Sequence, residues 1–430
     1  MTSRRHAPWP GGPLGDAEPA ADESSADAWR TASDASAVRH APADVDPEAS
    51  RGTPADRSTA PHDMPSDGFR HPRAALTTAE PAQRVLSPES PTDDGPALER
   101  LADAVTASDA PHVVFALSRH GRRSVMSGGT APPPPPPLAR ENQRYEIGSA
   151  TKTFTGLLLA RLIHSGRLTG GEPAAALLDR GRPADANPVT LAHLITHTSG
   201  LPALPTGFLL RGLPAWTTNP YARFPEARVV DAFLRHRPRH RPGTRWRYSN
   251  FGVAVLGHAL AAATGSPWED LLTDQILRPL GLDGTTLRAD DSGLDAPGHG
   301  RDGVSPVPAF DAGGFQAAGA VRATPHDLLT FLEAHLDPTG VSPHLAPALR
   351  AVRRPVLRRG IGHRHVHTIA WFRHPTNGGP MYFHSGATLG HQAFLGFRAD
   401  TGTALAAVCT RRFRAHDPFL ATAYALLAQE

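Results

Sequence analysis

The sequence contains a single lysine, Lys152, and it stands three positions after Ser149. All other members of the 44 lysine and arginine residues are arginines. An arginine stays protonated at any working pH, whereas a buried lysine amine can lose its proton. Positions three apart lie on one face of a helix, with about 5–6 Å between Cβ atoms. This spacing predicts a serine nucleophile whose proton is handled by the lysine amine.

A second motif, Tyr248-Ser249-Asn250, stands just ahead of a predicted helix. An ammonium group beside a phenol lowers the pKa of the phenol. Lys152 is therefore expected to let Tyr248 remove the serine proton as a phenolate. The amide of Asn250 is a candidate to anchor the lysine or the carbonyl side of a substrate.

A third motif, His384-Ser385-Gly386-Ala387, closes a predicted strand. Glycine has no side chain, so Gly386 is expected to let a substrate approach the strand edge. The N–H groups of Ala387 and Ser149 can together form an oxyanion hole, which stabilises the negative charge of a tetrahedral intermediate. The three motifs are thus assigned a nucleophile, proton-transfer groups and an oxyanion site.

Further segments at 194–202, 242–252 and 278–282 accompany the motif that spans 147–154. Together, in this order, they resemble the serine β-lactamase-like superfamily over most of residues 98–430. The branch that the chain is similar to contains class C β-lactamases, D-alanyl-D-alanine carboxypeptidases and related esterases.

The resemblance implies a role for each candidate residue. Ser149 would form an acyl-enzyme, Lys152 would shuttle protons, and Tyr248 would act as base in acylation and activate water in deacylation. Asn250 would position the substrate. The strand edge against which the substrate lies would consist of His384, Ser385, Gly386 and Ala387. The implied substrate is a small molecule or peptide with an ester or amide bond, and no metal or organic cofactor is implied.

One residue departs from the family pattern. In β-lactamases of this family the third motif usually begins with lysine, whose charge helps to hold the carboxylate of the drug. His384 stands in that place here, and an unperturbed histidine is largely neutral near pH 7. We therefore expect an esterase or D-amino-acid peptidase ahead of a true β-lactamase, which stays open as an alternative. Protonation of His384 is expected to give an acidic limb in the pH profile for anionic substrates.

Composition excludes several other classes of protein. Of the 430 residues, 20% are charged and 40% hydrophobic, and the formal net charge is only +3. No block of basic residues indicates nucleic-acid binding, and no apolar stretch reaches the 18 residues of a membrane span. Arg4-Arg5 are not followed by an apolar segment, so a cytoplasmic protein is expected. The sequence gives no indication of oligomeric state.

The order of the predicted elements indicates an α/β (α+β) fold, with an antiparallel sheet flanked by helices and a mostly helical lobe. The resemblance implies the β-lactamase/transpeptidase-like version of it. Residues 1–95 lack apolar periodicity and are expected to be disordered. Residues 96–430 are expected to form the hydrolase domain. Its sheet lobe would comprise about 96–166 and 300–430, and its helical lobe about 167–299.

Several elements can be predicted individually. A helix apolar on nearly all sides follows Ser149, and another is expected to begin at Thr324-Pro325, with threonine as cap. The lone cysteine, Cys409, lies in an apolar run and is expected to be a core residue rather than a catalytic thiol. Strands are predicted at 112–118, 366–372, 381–384, 392–397 and 403–410.

Three alternatives to a hydrolase remain at this stage. The same pocket could serve a non-catalytic penicillin- or peptidoglycan-ligand-binding protein, or an acyltransferase with an acceptor other than water. A metallohydrolase is the third, because His363, His365 and His367 alternate and would share one face of a strand. Nearby arginines, Arg358 and Arg359 among them, disfavour a bound cation there.

Overall fold

The structure is a computed structural model of the chain, and it describes residues 83–86, 95–135, 138–183, 187–215, 218–238, 240–359, 365–414 and 417–430. Residues 83–86 form a strand, although they lie inside the segment predicted to be disordered. The remainder of 1–94 lies outside the described residues. The sheet therefore begins earlier in the chain than the sequence suggested.

The described residues form the following strands: β1 (Gln83–Leu86), β2 (Val113–Arg119), β3 (Arg122–Gly128), β4 (Tyr145–Glu146), β5 (Gly298–His299), β6 (Pro306–Val307), β7 (Arg322–Ala323), β8 (Leu357–Arg359), β9 (His365–His367), β10 (Phe372–Pro375), β11 (Pro380–Ala387), β12 (Gln392–Arg398) and β13 (Thr403–Cys409).

They also form the following α-helices: α1 (Gly95–Ala107), α2 (Thr151–His164), α3 (Ala174–Leu178), α4 (Leu191–Ile195), α5 (Phe208–Gly212), α6 (Glu226–Arg235), α7 (Asn250–Thr264), α8 (Trp268–Leu272), α9 (Arg278–Leu280), α10 (Gln316–Gly319), α11 (Pro325–Leu336), α12 (Ala346–Ala351) and α13 (Pro418–Gln429).

Nine strands form one sheet in the order β1-β3-β2-β13-β12-β11-β10-β9-β8. Every neighbouring pair in it is antiparallel. Strands β2 and β3 are joined by a tight turn at His120 and Gly121, with φ of 50° and 80°. Two successive positive φ values match the right-handed twist of a hairpin.

Both faces of the sheet are covered, because side chains alternate along each strand. In β13, Ala404, Ala406 and Val408 face the larger core, which includes α2, α7 and α11. Leu405 and Cys409 face a smaller core against α1 and α13. Cys409 is fully buried there, which confirms its prediction as a core residue.

Local sequence signals explain several helix starts. Thr324 caps α11 by accepting a hydrogen bond from the Asp327 N–H at 3.2 Å, and Pro325 takes the first helical position. That start is confirmed. Asp417 caps α13 in the same way, through the Phe419 N–H at 3.1 Å. These caps satisfy N–H groups that have no partner within the helix.

One predicted strand is wrong. The run 366–372 was expected to be continuous, but it divides between β9 and β10, which pair with each other. A tight turn separates them, in which the Thr368 N–H donates to the Trp371 carbonyl oxygen at 2.9 Å. The Trp371 N–H donates back to the Thr368 hydroxyl at 3.1 Å. Apolar composition could not reveal this turn, because Trp371 is itself buried in the core.

Strand β4 pairs with β7 and lies just before the turn that leads into α2. Helix α2 is buried along most of its length, and the helical segments between α3 and α9 pack around it and around α7. No helix within the described part of the chain combines the length and apolarity of a membrane span.

Candidate active site

Ser149 and Lys152 meet at the start of α2. Ser149 lies in the 3-10 turn Gly148–Ala150, and Lys152 lies in the first turn of the helix. The distance from Lys152 Nζ to Ser149 Oγ is 3.0 Å, and Nζ also donates to the Ala318 carbonyl oxygen at 2.9 Å. The predicted serine and lysine side chains are therefore in direct contact.

Lys152 is only 1% exposed, and within the described residues no acidic side chain pairs with it. Burial lowers the pKa of its amine well below the ordinary value. An amine without a compensating carboxylate favours its neutral form, which can accept a proton. The side chain that contacts Ser149 is therefore an amine whose charged form is disfavoured by burial.

The edge of β11 lies directly against the turn that carries Ser149. A Cβ atom added to Gly386 would lie 1.9 Å from the Ile147 carbonyl oxygen, and one added to Gly148 would lie 2.4 Å from the Ala387 carbonyl oxygen. Gly148 also has a φ of +49°. Gly386 was expected to make room for substrate, but the space beside it is occupied by the backbone before Ser149. Gly386 therefore lets β11 approach the turn that carries Ser149.

Tyr248 lies just before α7, and its ring faces the lysine. Lys152 Nζ is 5.1 Å from the centre of the ring. Burial raises the pKa of the Tyr248 hydroxyl above its ordinary value, and the neighbouring Ser149 hydroxyl offsets only part of this. The hydroxyl makes no hydrogen bond of normal geometry within the described residues. The predicted lowering of its pKa is wrong, because the lysine that was to supply the positive charge is itself driven toward neutrality.

His197 contacts Tyr248, a role that the sequence analysis did not assign to it. The two rings lie 4.5 Å apart between centroids. His197 Nδ1 accepts a hydrogen bond from the Ser249 N–H at 3.2 Å. Its φ of 59° is a conformation that side-chain-bearing residues rarely adopt. Such strain persists only where the surroundings enforce it, and it is common at functional sites.

His384 lies close to Lys152. It is 2% exposed, and its Nδ1 lies 2.7 Å from the Ser385 carbonyl oxygen, to which it can donate. With Lys152, His197 and His367 it lines a small internal cavity. Burial, and then the charge of Lys152, lowers the pKa of His384 to about 3. The imidazole of His384 therefore gains its proton only at a pH well below the ordinary value of 6.5, and the expected acidic limb near that value is not supported.

A pocket opens in front of Ser149. Of the candidate residues, Ser149, Asn250 and Ala387 line it, whereas His384, Ser385 and Gly386 do not. Other side chains that line it carry no motif and were not predicted: Tyr221, Arg301, Phe310, Phe315, Arg412 and Phe413. They come from loops and strand ends, where sequence spacing carries no information about spatial neighbours.

The alternating histidines give no support to a metal centre. His363 lies outside the described residues. His367 Nε2 accepts a hydrogen bond from Arg359 Nε at 2.8 Å, so that nitrogen already has a partner. Within the described part of the chain, no group of three or more metal-ligating side chains could hold an ion.

Comparison with known proteins gives one consistent result. The Beta-lactamase family model matches residues 98–430. A Beta-lactamase from Pseudomonas fluorescens is 26% identical over 249 residues, which cover 56% of this chain and 64% of that protein. The D-alanyl-D-alanine-carboxypeptidase/endopeptidase AmpH of Escherichia coli (strain K12) is 28% identical over 271 residues, or 61% of this chain and 67% of that relative. The match thus spans slightly less than two thirds of the Pseudomonas protein.

Among solved structures, a class C beta lactamase from Rhodobacter sphaeroides superimposes with a TM-score of 0.64. It is 21% identical and the match covers 77% of this chain and 98% of that one. The similarity confirms the predicted fold, an antiparallel sheet flanked by helices with a mostly helical lobe.

Proposed function

The chain belongs to the beta-lactamase family, and we propose that it is a serine hydrolase that forms an acyl-enzyme on Ser149 from an ester or amide. One observation carries the proposal. The only lysine of the sequence is buried without an acidic partner among the described residues, and its Nζ lies 3.0 Å from the Ser149 hydroxyl. A neutral amine in this position is the group that a serine nucleophile requires.

Acylation uses the two protonation states that burial favours. Lys152 accepts the proton of Ser149 as Oγ attacks the carbonyl carbon, and becomes an ammonium. Tyr248 keeps its proton in the resting enzyme because burial raises its pKa. It donates that proton to the departing alcohol or amine. The resulting phenolate lies beside the new ammonium, and the opposite charges stabilise each other.

Deacylation reverses both transfers. The Tyr248 phenolate accepts a proton from the attacking water, and the Lys152 ammonium returns its proton to Ser149 Oγ as the acyl group leaves. This restores a neutral amine and a neutral phenol. The family role of Tyr248 in activating water is thus retained, while Lys152 takes the role of base in acylation.

The remaining candidate residues bind the substrate in this proposal. The N–H groups of Ser149 and Ala387 form the oxyanion hole, since β11 packs against the turn that carries the serine. Asn250, at the start of α7, lines the pocket and its side-chain oxygen has no partner among the described residues. It is assigned to a polar group of the substrate.

Trapping the covalent intermediate tests the proposal. The full chain would be incubated with 4-nitrophenyl esters, nitrocefin and D-alanyl peptides, and its intact mass recorded during turnover. We expect an acyl adduct on Ser149 and no adduct with Ser149→Ala. Turnover without an adduct and with undiminished rate in Ser149→Ala would contradict the proposal. Substrates converted at a high rate would be esters or D-amino-acid amides, because β11 offers no cation in place of the family lysine.

A further inference from the structure

Three leucines on and just after α5 are exposed to solvent. Within the described residues, five large apolar side chains are exposed, and three of them, Leu209, Leu210 and Leu213, lie within five positions of one another. Leu210 is 81% exposed and Leu213 is 68% exposed. A single exposed leucine is ordinary, but a cluster of them indicates an interaction surface. We call Leu209, Leu210 and Leu213 the leucine tip.

The leucine tip is supported by the wall of the active-site pocket. Phe208, the first residue of α5, is buried, and its ring centroid lies 5.0 Å from that of Tyr221 and 5.7 Å from that of Phe315. Tyr221 and Phe315 line the pocket in front of Ser149. Phe208 thus supplies an internal packing contact of this short helix. The leucine tip projects into solvent from a fixed support beside the pocket.

The charge around the leucine tip is positive. Residues 186–225 contain two arginines, Arg211 and Arg223, and no aspartate or glutamate. Both arginines are exposed, and Arg223 lies two positions after the tyrosine that contacts α5. Neither forms an ion pair within the described part of the chain. The first acid beyond this segment, Glu226, lies 3.3 Å from His258 Nδ1 and so has a partner of its own.

We propose that the leucine tip, with Arg211 and Arg223, docks the protein on a lipid surface that carries negative charge. Apolar side chains beside arginines suit such a surface, because the leucines can enter the boundary of the acyl chains while the guanidinium groups meet the lipid phosphates. A protein partner is matched less well, since even three fully exposed leucines present less than the about 800 Å² per partner of a stable interface. The inference goes beyond the proposed hydrolase, and its tests need no catalysis.

Co-sedimentation with vesicles is the first test. The full chain would be mixed with vesicles of phosphatidylcholine, alone or together with phosphatidylglycerol. We expect tighter binding to the anionic vesicles, and we expect Leu209→Ser/Leu210→Ser/Leu213→Ser to weaken it by about tenfold or more. Val304→Ser is the matched control, because Val304 is 79% exposed but lies outside the leucine tip. It should bind as the wild type does.

The second test removes charge instead of apolar surface. Arg211→Gln/Arg223→Gln is expected to weaken binding to the anionic vesicles by about tenfold or more, because each arginine near such a surface contributes about fivefold in affinity. Binding to phosphatidylcholine alone should change little. Arg235→Gln/Arg278→Gln is the control, since it removes the same amount of charge from two exposed arginines that pair with aspartates. We expect it to retain the preference for anionic vesicles.

A fluorescent label tests whether the leucine tip itself enters the lipid. Cys409, the only cysteine of the sequence, is buried, so Leu210→Cys would offer one exposed thiol for an environment-sensitive fluorophore. We expect its emission to shift to shorter wavelength with anionic vesicles, whereas the same label on Val304→Cys should not respond. An unshifted label at position 210 on vesicle-bound protein would place the lipid contact elsewhere and refute the proposal.

Other results would also overturn the proposal. They are equal binding of the wild type to both kinds of vesicle, binding to neither, and unchanged binding of the triple serine variant. Light scattering would detect a further one, in which the wild type self-associates, the triple variant does not, and neither binds vesicles. That result would assign the leucine tip to contact with a second copy of the chain.

Discussion

Two buried basic residues lie close together in this protein, and they differ in whether an acidic side chain pairs with them. Arg322 is 2% exposed and Lys152 is 1% exposed. Arg322 pairs with Glu146 at 2.9 Å and with Asp295 at 3.6 Å. Among the described residues, the amine of Lys152 makes its hydrogen bonds to two neutral oxygen atoms, those of Ser149 and Ala318.

Since Arg322 and Lys152 are exposed to nearly the same small extent, the difference in their expected charge comes from their neighbouring residues. The two regions even share a contact, in which the Val321 N–H donates to the Thr151 hydroxyl at 3.1 Å. A buried charge costs several kcal/mol unless a partner compensates for it. Arg322 is compensated and can remain a cation that holds β4 and β7 together. Lys152 is not compensated, so it is driven toward the neutral amine that a base requires.

The largest expected effect comes from breaking the uncompensated site. Lys152→Arg keeps a positive side chain but cannot offer a neutral nitrogen, because a guanidinium group does not lose its proton. We expect the rate of acylation, measured by stopped-flow with a 4-nitrophenyl ester, to fall by about 100- to 10,000-fold. Rates within a few-fold of the wild type would refute the proton-transfer role of Lys152.

A second variant separates this effect from misfolding. Lys152→Met removes the amine but places an apolar side chain of similar length in the same buried site. It is expected to match or exceed the wild type in thermal stability, since no polar group has to be desolvated. It should still be as inactive as Lys152→Arg. An active, stable Lys152→Met protein would be equally damaging to the proposal.

The next largest expected effect is a loss of stability when the ion pair between Arg322 and Glu146 is broken. Glu146→Gln leaves the buried Arg322 with the more distant Asp295. Removing one partner of a buried ion pair costs about 3–5 kcal/mol of unfolding free energy. Urea denaturation measures this loss. The control is Asp231→Asn, which breaks the exposed pair with Arg235 and should cost about 0–1 kcal/mol.

The pH dependence of the same variant sharpens the comparison. Burial alone would raise the pKa of the Glu146 carboxyl, but His391, Arg322 and the Phe310 N–H outweigh burial and lower it to about 2. A carboxyl with a lowered folded-state pKa stabilises the protein above its unfolded pKa of about 4.3, and that contribution is lost as pH falls toward 2. The stability difference between wild type and Glu146→Gln should therefore shrink between about pH 5 and pH 2. A constant difference across this range would contradict the paired-charge description.

Much of the fold, and the contact between Ser149 and Lys152, could be predicted from the sequence because the signals are local. Caps such as Thr324 and Asp417 are local, so they depend on residues two or three positions away. The contact between Ser149 and Lys152 is also local, because it is set by one turn of helix. The strand pattern followed from apolar alternation and failed at Thr368–Trp371, where a buried turn has the same composition as a strand.

Protonation states and pocket walls could not be predicted, because both depend on contacts far apart in the sequence. The lowered pKa of Lys152 follows from its burial without an acid among the described residues, which no motif encodes. The pKa of Tyr248 was expected to be lowered because the sequence could not show that both Tyr248 and Lys152 are buried. Arg301 and Arg412 both line the pocket although they are 111 positions apart in the numbering, and hydrogen bonds from His299 and Arg412 join their segments.

The smallest expected effect concerns His384, which makes no hydrogen bond to Ser149 or Lys152 among the described residues. Burial, and then the charge of Lys152, lowers its pKa to about 3, so the imidazole is neutral throughout pH 5–7. His384→Asn retains a donor for the Ser385 carbonyl oxygen, which His384 Nδ1 contacts at 2.7 Å. The substrate would be the 4-nitrophenyl monoester of glutaric acid, which is anionic. We expect its kcat/KM to follow the same pH profile in wild type and variant. At any pH the two values should differ by about three-fold or less, as for the loss of one neutral hydrogen bond.

Any acidic limb in that profile is assigned to the amine of Lys152, which must be neutral to accept the Ser149 proton. Such a limb would appear in His384→Asn as well, and it would affect the anionic ester and a neutral 4-nitrophenyl ester alike. A limb between pH 5 and pH 7 that acts on the anionic ester only, and disappears in His384→Asn, would show that this histidine charges and binds substrate. The positive charge that meets an anionic substrate would then come from β11.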